Sequence, residues 1–219
     1  MRDRGVGEST EPDTPGRTLF YVPIIHTQTD MGALRQSVRQ LQIQRLGKEG
    51  WKRNVELVEK VWNTIERTID TLALAYNKVR VYQDGLPVCG REMEIVADLA
   101  KSGSRNHRLL LTLKERGATI LGTESAELLV EEYQLILQAL RAVELGRATR
   151  TETRQKRLKG SLLRRRDQYI GARINETLMA GETGIVFLGL LHSLEKWLAE
   201  DIEVVYPIHH LTDQRMGRR

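Results

Sequence analysis

The sequence holds a single cysteine, Cys89. No disulfide can therefore form within the chain, and the expected setting is a reducing cytoplasm. Long apolar runs are also missing: the longest, Gly184 to Leu191, falls far short of the roughly 20 residues that a bilayer span needs, so no membrane contact is expected. There is no P-loop and no Gly-x-Gly-x-x-Gly after a strand pattern, which leaves the usual modes of ATP and dinucleotide binding without support. The opening MRDRGVGESTEPDTPG is charged and rich in Gly, Pro, Ser and Thr. It lacks the apolar centre of a secretory signal, and residues 1–16 read as a disordered lead.

What is present is enough for one substantial core: 219 residues, 40% of them hydrophobic. One domain over 17–210 is expected, followed by a basic tail at 211–219. The net charge of +5 is unevenly placed. Between Arg147 and Arg166 nine Lys or Arg stand against Glu152 alone, a local +8 that leaves −3 for the remainder. The basic character belongs to one segment and not to the whole surface.

Strand patterns occur at 17–27, 79–87, 118–124, 184–192 and 202–208, rich in β-branched residues and poor in alternation. That suits strands covered on both faces, as in a parallel sheet. Helical patterns fill the intervals. Trp51, Val55, Val58, Trp62, Ile65, Ile69 and Leu72 form one stripe, suited to packing on the sheet or, as the alternative, to a seam between subunits of a homo-oligomer. Gly47 and Gly50 mark a turn before it, and helices are expected at 91–101 and 105–116, stopped by Gly103 and Gly117. A helical excursion covers about 126–178, with a face of Leu129, Tyr133, Ile136, Leu140 and Val143 and breaks at Gly146 and Gly160. The expected fold is a three-layer α/β domain with a mostly parallel five-stranded sheet and helices on both faces.

In such a sheet, ligands bind beyond the carboxyl ends of the strands. The residues delivered there are His26 and Asp30, Asp84, Glu124 and His192. Two histidines with carboxylates can hold a divalent transition metal such as Mn, Zn or Co, with His26, Asp84, Glu124 and His192 as ligands and an acidified water. Without metal, a histidine held by a carboxylate can serve as general base. Ordinary capping and turn chemistry competes for each of these residues singly. Cys89 reads as a small buried residue, His107 as a cap or a solvent-facing side chain, and His209 and His210 as surface residues.

RRDQYIGARINETL followed by GIVFLGLLH, residues 165–192, resembles the closing part of the superfamily that contains the TraB and Tiki proteins, the erythromycin esterases and the haem-associated ChaN proteins. The family's first-strand histidine would fall on His26, its acidic strand ends on Asp84 or Glu124, its Arg-Asp pair on Arg166 and Asp167, and its Gly-x-x-His on Gly189 to His192. Pro23 stands where the family usually has glycine. The resemblance implies Arg166 as an anion clamp and Asp167 as the residue that orients a histidine or the arginine.

Two functions of different class follow. One is a hydrolase of the TraB/Tiki or erythromycin-esterase kind, acting on a small-molecule or peptide substrate through His26, Glu124, His192 and Arg166. The alternative is a nucleic-acid or nucleotide-binding accessory protein that makes weak, salt-sensitive contact through Arg147 to Arg166. That segment has no aromatic residue, so stacking on single strands is not foreseen.

Overall fold

The computed structural model describes residues 16–27, 35–144 and 148–208. Residues 1–15 of the expected lead, Asp30, Gly146, Arg147, His209, His210 and the basic tail lie outside the described residues.

Five strands, β1 (Arg17–Ile24), β2 (Val79–Gln83), β3 (Thr119–Leu121), β4 (Thr183–Gly189) and β5 (Ile202–Val205), form one sheet. Their order is β3-β2-β4-β1-β5, and every pairing is parallel. Successive side chains on a strand point to opposite faces. Here both faces are apolar: Val22, Ile24, Val81, Ile185 and Phe187 join one core, while Leu19, Tyr21, Tyr82, Val186 and Leu188 join the other. This double covering is why the strands read as near-continuous apolar runs.

The first face is covered by α1 (Arg35–Thr71), α2 (Glu92–Lys101) and α3 (Arg105–Glu115), through Trp62, Ile65, Ile69, Val96, Leu110 and Leu113. The second is covered by the C-terminal half of α5 (Ala148–Thr177), through Ile170 and Ile174, with Leu178 just beyond. The result is a three-layer α/β fold. The expected stripe on α1 divides: Trp62, Ile65 and Ile69 are core, whereas Val55 is exposed. Gly47, at φ 70°, is the kink within α1, and Gly50 is helical.

Several expectations need correction. Gly160 does not break α5, because one glycine in a helix costs only about 1 kcal/mol and the turns on either side continue. Tyr133 is exposed, and α4 (Ala126–Glu144) has no buried side chain among its described ones. The excursion is real, but α5 returns from it to become a layer of the sheet. The passage from β4 to β5 uses only a 3-10 turn, Glu195–Trp197, in place of a helix. Of the basic run, Arg165 pairs with Glu131 of α4 at 2.8 Å and Arg166 is buried. No helix of the described residues is long and apolar enough to cross a membrane.

Gly171 fixes the approach of the 3-10 turn to α5. A Cβ there would stand 2.5 Å from Trp197 Cβ and 3.0 Å from its carbonyl oxygen. Gly171→Ala should therefore destabilise the protein by about 1–3 kcal/mol, by overpacking. Urea unfolding measures this, and an unchanged midpoint would mean that the turn is not held against the helix.

Candidate functional site

The strand order creates the site. The chain leaves β2 toward β3 on one side and leaves neighbouring β4 toward β5 on the other, so the two connections diverge. Between diverging connections an open sheet leaves a crevice at its carboxyl edge. Register then sets what fills it: Gly189 pairs with Ile24 and Gln83 with Phe187, so His26, Asp84 and His192 all follow within a few residues of the same edge.

Asp84 is the meeting point. Its Oδ2 accepts from His26 Nε2 at 3.0 Å and from the Gly189 backbone N–H at 2.8 Å, with His192 Nε2 at 3.4 Å. Its Oδ1 accepts from Arg166 Nη2 at 2.7 Å. Gly189 is required for this approach, since a Cβ there would lie 3.0 Å from Asp84 Oδ2 and 3.4 Å from His26 Nε2. The following turn, closed by His192 N–H to Gly189 carbonyl, brings His192 back over the strand end. Its Nδ1 meets Asp167 Oδ1 at 2.6 Å, and the Ser193 N–H donates to Asp167 Oδ2.

Glu124 arrives from β3. Gln83 N–H donates to Thr123 Oγ1, and both Thr123 and Glu124 N–H groups donate to the Leu86 carbonyl, which locks the two strand ends together. Glu124 is fully buried. Its two oxygens take Arg166 Nε and Nη2, both at 2.6 Å, and Oε1 also takes the Gly85 N–H at 2.7 Å. Arg166 Nη1 reaches Glu132 of α4 at 2.7 Å. Ser125, next in the chain, caps α4 through the Leu128 N–H, so ordinary helix-start chemistry and the site occupy adjacent residues.

Burial opposes the charge of every member, and pairing decides most of them. For Asp84, hydrogen bonds from His192 and His26 overcome burial and hold its carboxyl well below the ordinary range. Burial, with Asp84 adding to it, pushes Glu124 up against the opposing pull of Arg166. Arg166 is held above its ordinary value, since Glu124, Asp84 and Glu132 more than offset burial. Burial lowers His192, but Asp167 and Asp84 together raise it to about 9. His192 is therefore an imidazolium at neutral pH and cannot be the base.

The structure brings His26, Asp84, Glu124, Arg166 and His192 together, with Asp167 orienting His192 as the resemblance implied. It corrects the clamp. Arg166 spends its N–H groups on three carboxylates and presents no open fork to a substrate anion. The metal reading meets the same obstacle, because both oxygens of Asp84 and of Glu124 are already bonded. Among the described residues, no group of three or more His, Cys, Asp or Glu is arranged to hold a metal ion. Cys89 is exposed, not buried. His107 is buried and does not face solvent; the cap of α3 is Ser104, whose hydroxyl accepts from the His107 N–H and lies 2.7 Å from His107 Nδ1.

A cavity of about 450 Å³ opens over this cluster, lined also by Gln83, His107 and Glu132. Sequence reasoning gave none of these three a place at the site. For His107 the Ser-x-x-His spacing at a helix start was the available signal; Glu132 gave none, since only the packing of α4 on α5 brings it to Arg166. No family model, curated protein or solved structure matches the chain.

Removing Arg166 strands two buried carboxylates. Arg166→Met should cost about 3–5 kcal/mol in urea unfolding; a loss below about 1 kcal/mol would mean the carboxylates are not held by it. His192 adds a pH signature. Its folded pKa of about 9 exceeds the ordinary 6.5, so the stability from its proton is complete below pH 6.5 and gone above about 9, on the order of 3 kcal/mol. The melting-temperature gap between the wild type and His192→Gln should shrink across that window. A gap independent of pH would contradict the buried imidazolium.

Proposed function

We propose that the protein is a hydrolase of the TraB/Tiki or erythromycin-esterase-like type, in which His26 activates water at the strand ends. The observation that carries this reading is the His26–Asp84 pair at the cavity. Asp84 is kept ionised and can only accept, so His26 donates to it from Nε2. The His26 side chain is one-third exposed, whereas the other members of the cluster around Asp84 are almost fully buried. It is the member of that cluster best placed to meet water.

In the reaction, the imidazole of His26 takes a proton from water while the oxygen attacks the carbonyl carbon of an ester or amide. The tetrahedral adduct collapses, the bond to the leaving oxygen or nitrogen breaks, and the proton on His26 passes to that atom. Acid and alcohol, or acid and amine, balance the water consumed. Asp84 stabilises the imidazolium that forms and fixes its ring. Arg166, Gly189 and His192 position Asp84, and Glu124 positions Arg166. Loss of the His192 proton removes one of these supports, so activity should fall above about pH 9.

The test is hydrolysis of 4-nitrophenyl esters by the full chain. His26→Ala and Asp84→Asn should each lower kcat about 100-fold or more. Metal analysis and chelation separate the two sources of the nucleophile: water activated by His26 survives chelation, whereas water on a Mn, Zn or Co ion does not. Ester hydrolysis at the wild-type rate in His26→Ala would end the proposal.

A further inference from the structure

The cavity has a charge balance that the strand-end residues alone do not reveal. Four carboxylates surround two cations, Arg166 and the His192 imidazolium: Asp84 and Glu132 at the cavity wall, and Glu124 and Asp167 behind it. Negative charge is in excess, and the arginine that could have drawn an anion is consumed within the cluster. Away from it the wall is apolar, formed by Ile24, Ile25, Leu99, Ile136 and Leu163.

Gln83 gives this wall a specific polar feature. It is the last residue of β2, fully buried, and it lines the cavity beside Asp84. Its Nε2 donates to the Asp84 carbonyl at 3.0 Å. That bond fixes which way the amide points, because a carbonyl accepts and only the nitrogen can donate to it. Oε1 is therefore the remaining group, and it has no hydrogen-bond partner. An acceptor buried in this state costs about 1–3 kcal/mol until a donor arrives. Thr123 holds the Gln83 backbone from the β3 side, so the residue is anchored in the wall.

We propose that the cavity selects esters or amides whose apolar body carries a protonated amine, and that Gln83 is the residue that reads the amine. The ammonium supplies the donor that Oε1 lacks and places positive charge where carboxylates are in excess, while the hydrocarbon lies along the Ile and Leu wall. A carboxylate in the same position would meet Oε1 lone pair to lone pair, beside Glu132 and Asp84. A site built to bond a donor rejects the analogue that lacks it, because its own group then stays unpaired. The selectivity for an ammonium is a property of binding and stands apart from the hydrolase reading; only the assignment of the bound molecule as ester or amide rests on it.

The experiment has a binding arm and a turnover arm, both on the full chain. Calorimetric titration compares hexylamine, hexanol and hexanoate. Turnover compares the 4-nitrophenyl esters of 6-aminohexanoic acid, heptanoic acid and adipic acid. Hexylamine should bind about 10-fold or more tighter than hexanol, with hexanoate weakest, and kcat/KM should follow the same order across the esters. Gln83→Met should reduce the amine-to-alcohol ratio, and Gln83→Glu, which adds a negative charge, should raise it. Selective binding of hexylamine with no ester cleaved would support this proposal while removing the hydrolase reading. Equal binding of the three ligands, preference for hexanoate, or a ratio unchanged in both folded variants would overturn it.

Discussion

One buried guanidinium organises the carboxyl edge of the sheet. Arg166 is bonded at once to Asp84 after β2, Glu124 after β3 and Glu132 on α4. Removing such a charge from water is costly, and the attraction repays the cost only when nearly every donor finds a partner. Here four of its N–H directions do. The consequence is positional: three segments distant in the chain are fixed to one point on α5, and the helical excursion is pinned to the sheet at the place where the cavity opens.

The next residue extends the same logic. Asp167 holds His192 by Nδ1, and His192 in turn faces Asp84, so adjacent positions of one helix secure both the arginine side and the histidine side of the cluster. Asp84 stays ionised within the core because it is surrounded by donors: Arg166, His26, His192 and the Gly189 N–H. The glycine is a steric requirement of that crowding. The His26–Asp84 pair then faces the cavity with its polarity set by groups that never need to touch a substrate.

Much of this was legible in the chain. The five strand patterns, the helices flanking Gly103 and Gly117, and the delivery of His26, Asp84, Glu124 and His192 to one rim follow from hydrophobic runs that end in polar residues. Errors arose where local signals were ambiguous. Gly160 looks like a helix break but is carried by its neighbouring turns. The Trp51 to Leu72 stripe is periodic throughout, yet only its C-terminal half meets the sheet. Cys89 resembles a core residue by type, but it sits in a turn where its backbone N–H serves Glu92.

The sequence by itself determined the three-layer class and the set of polar residues at the strand ends, because covering both faces of a strand leaves a local imprint of apolar residues. Only the tertiary structure decided which charges pair. A charge in a basic run looks the same whether it meets solvent or carboxylates 34 to 82 positions away. Strand order and the rotation of α5 put Arg166 inside and within reach of Glu132, and left Gln83 with an unpaired oxygen. Those are properties of packing between distant segments, on which hydrophobic periodicity along the chain is silent.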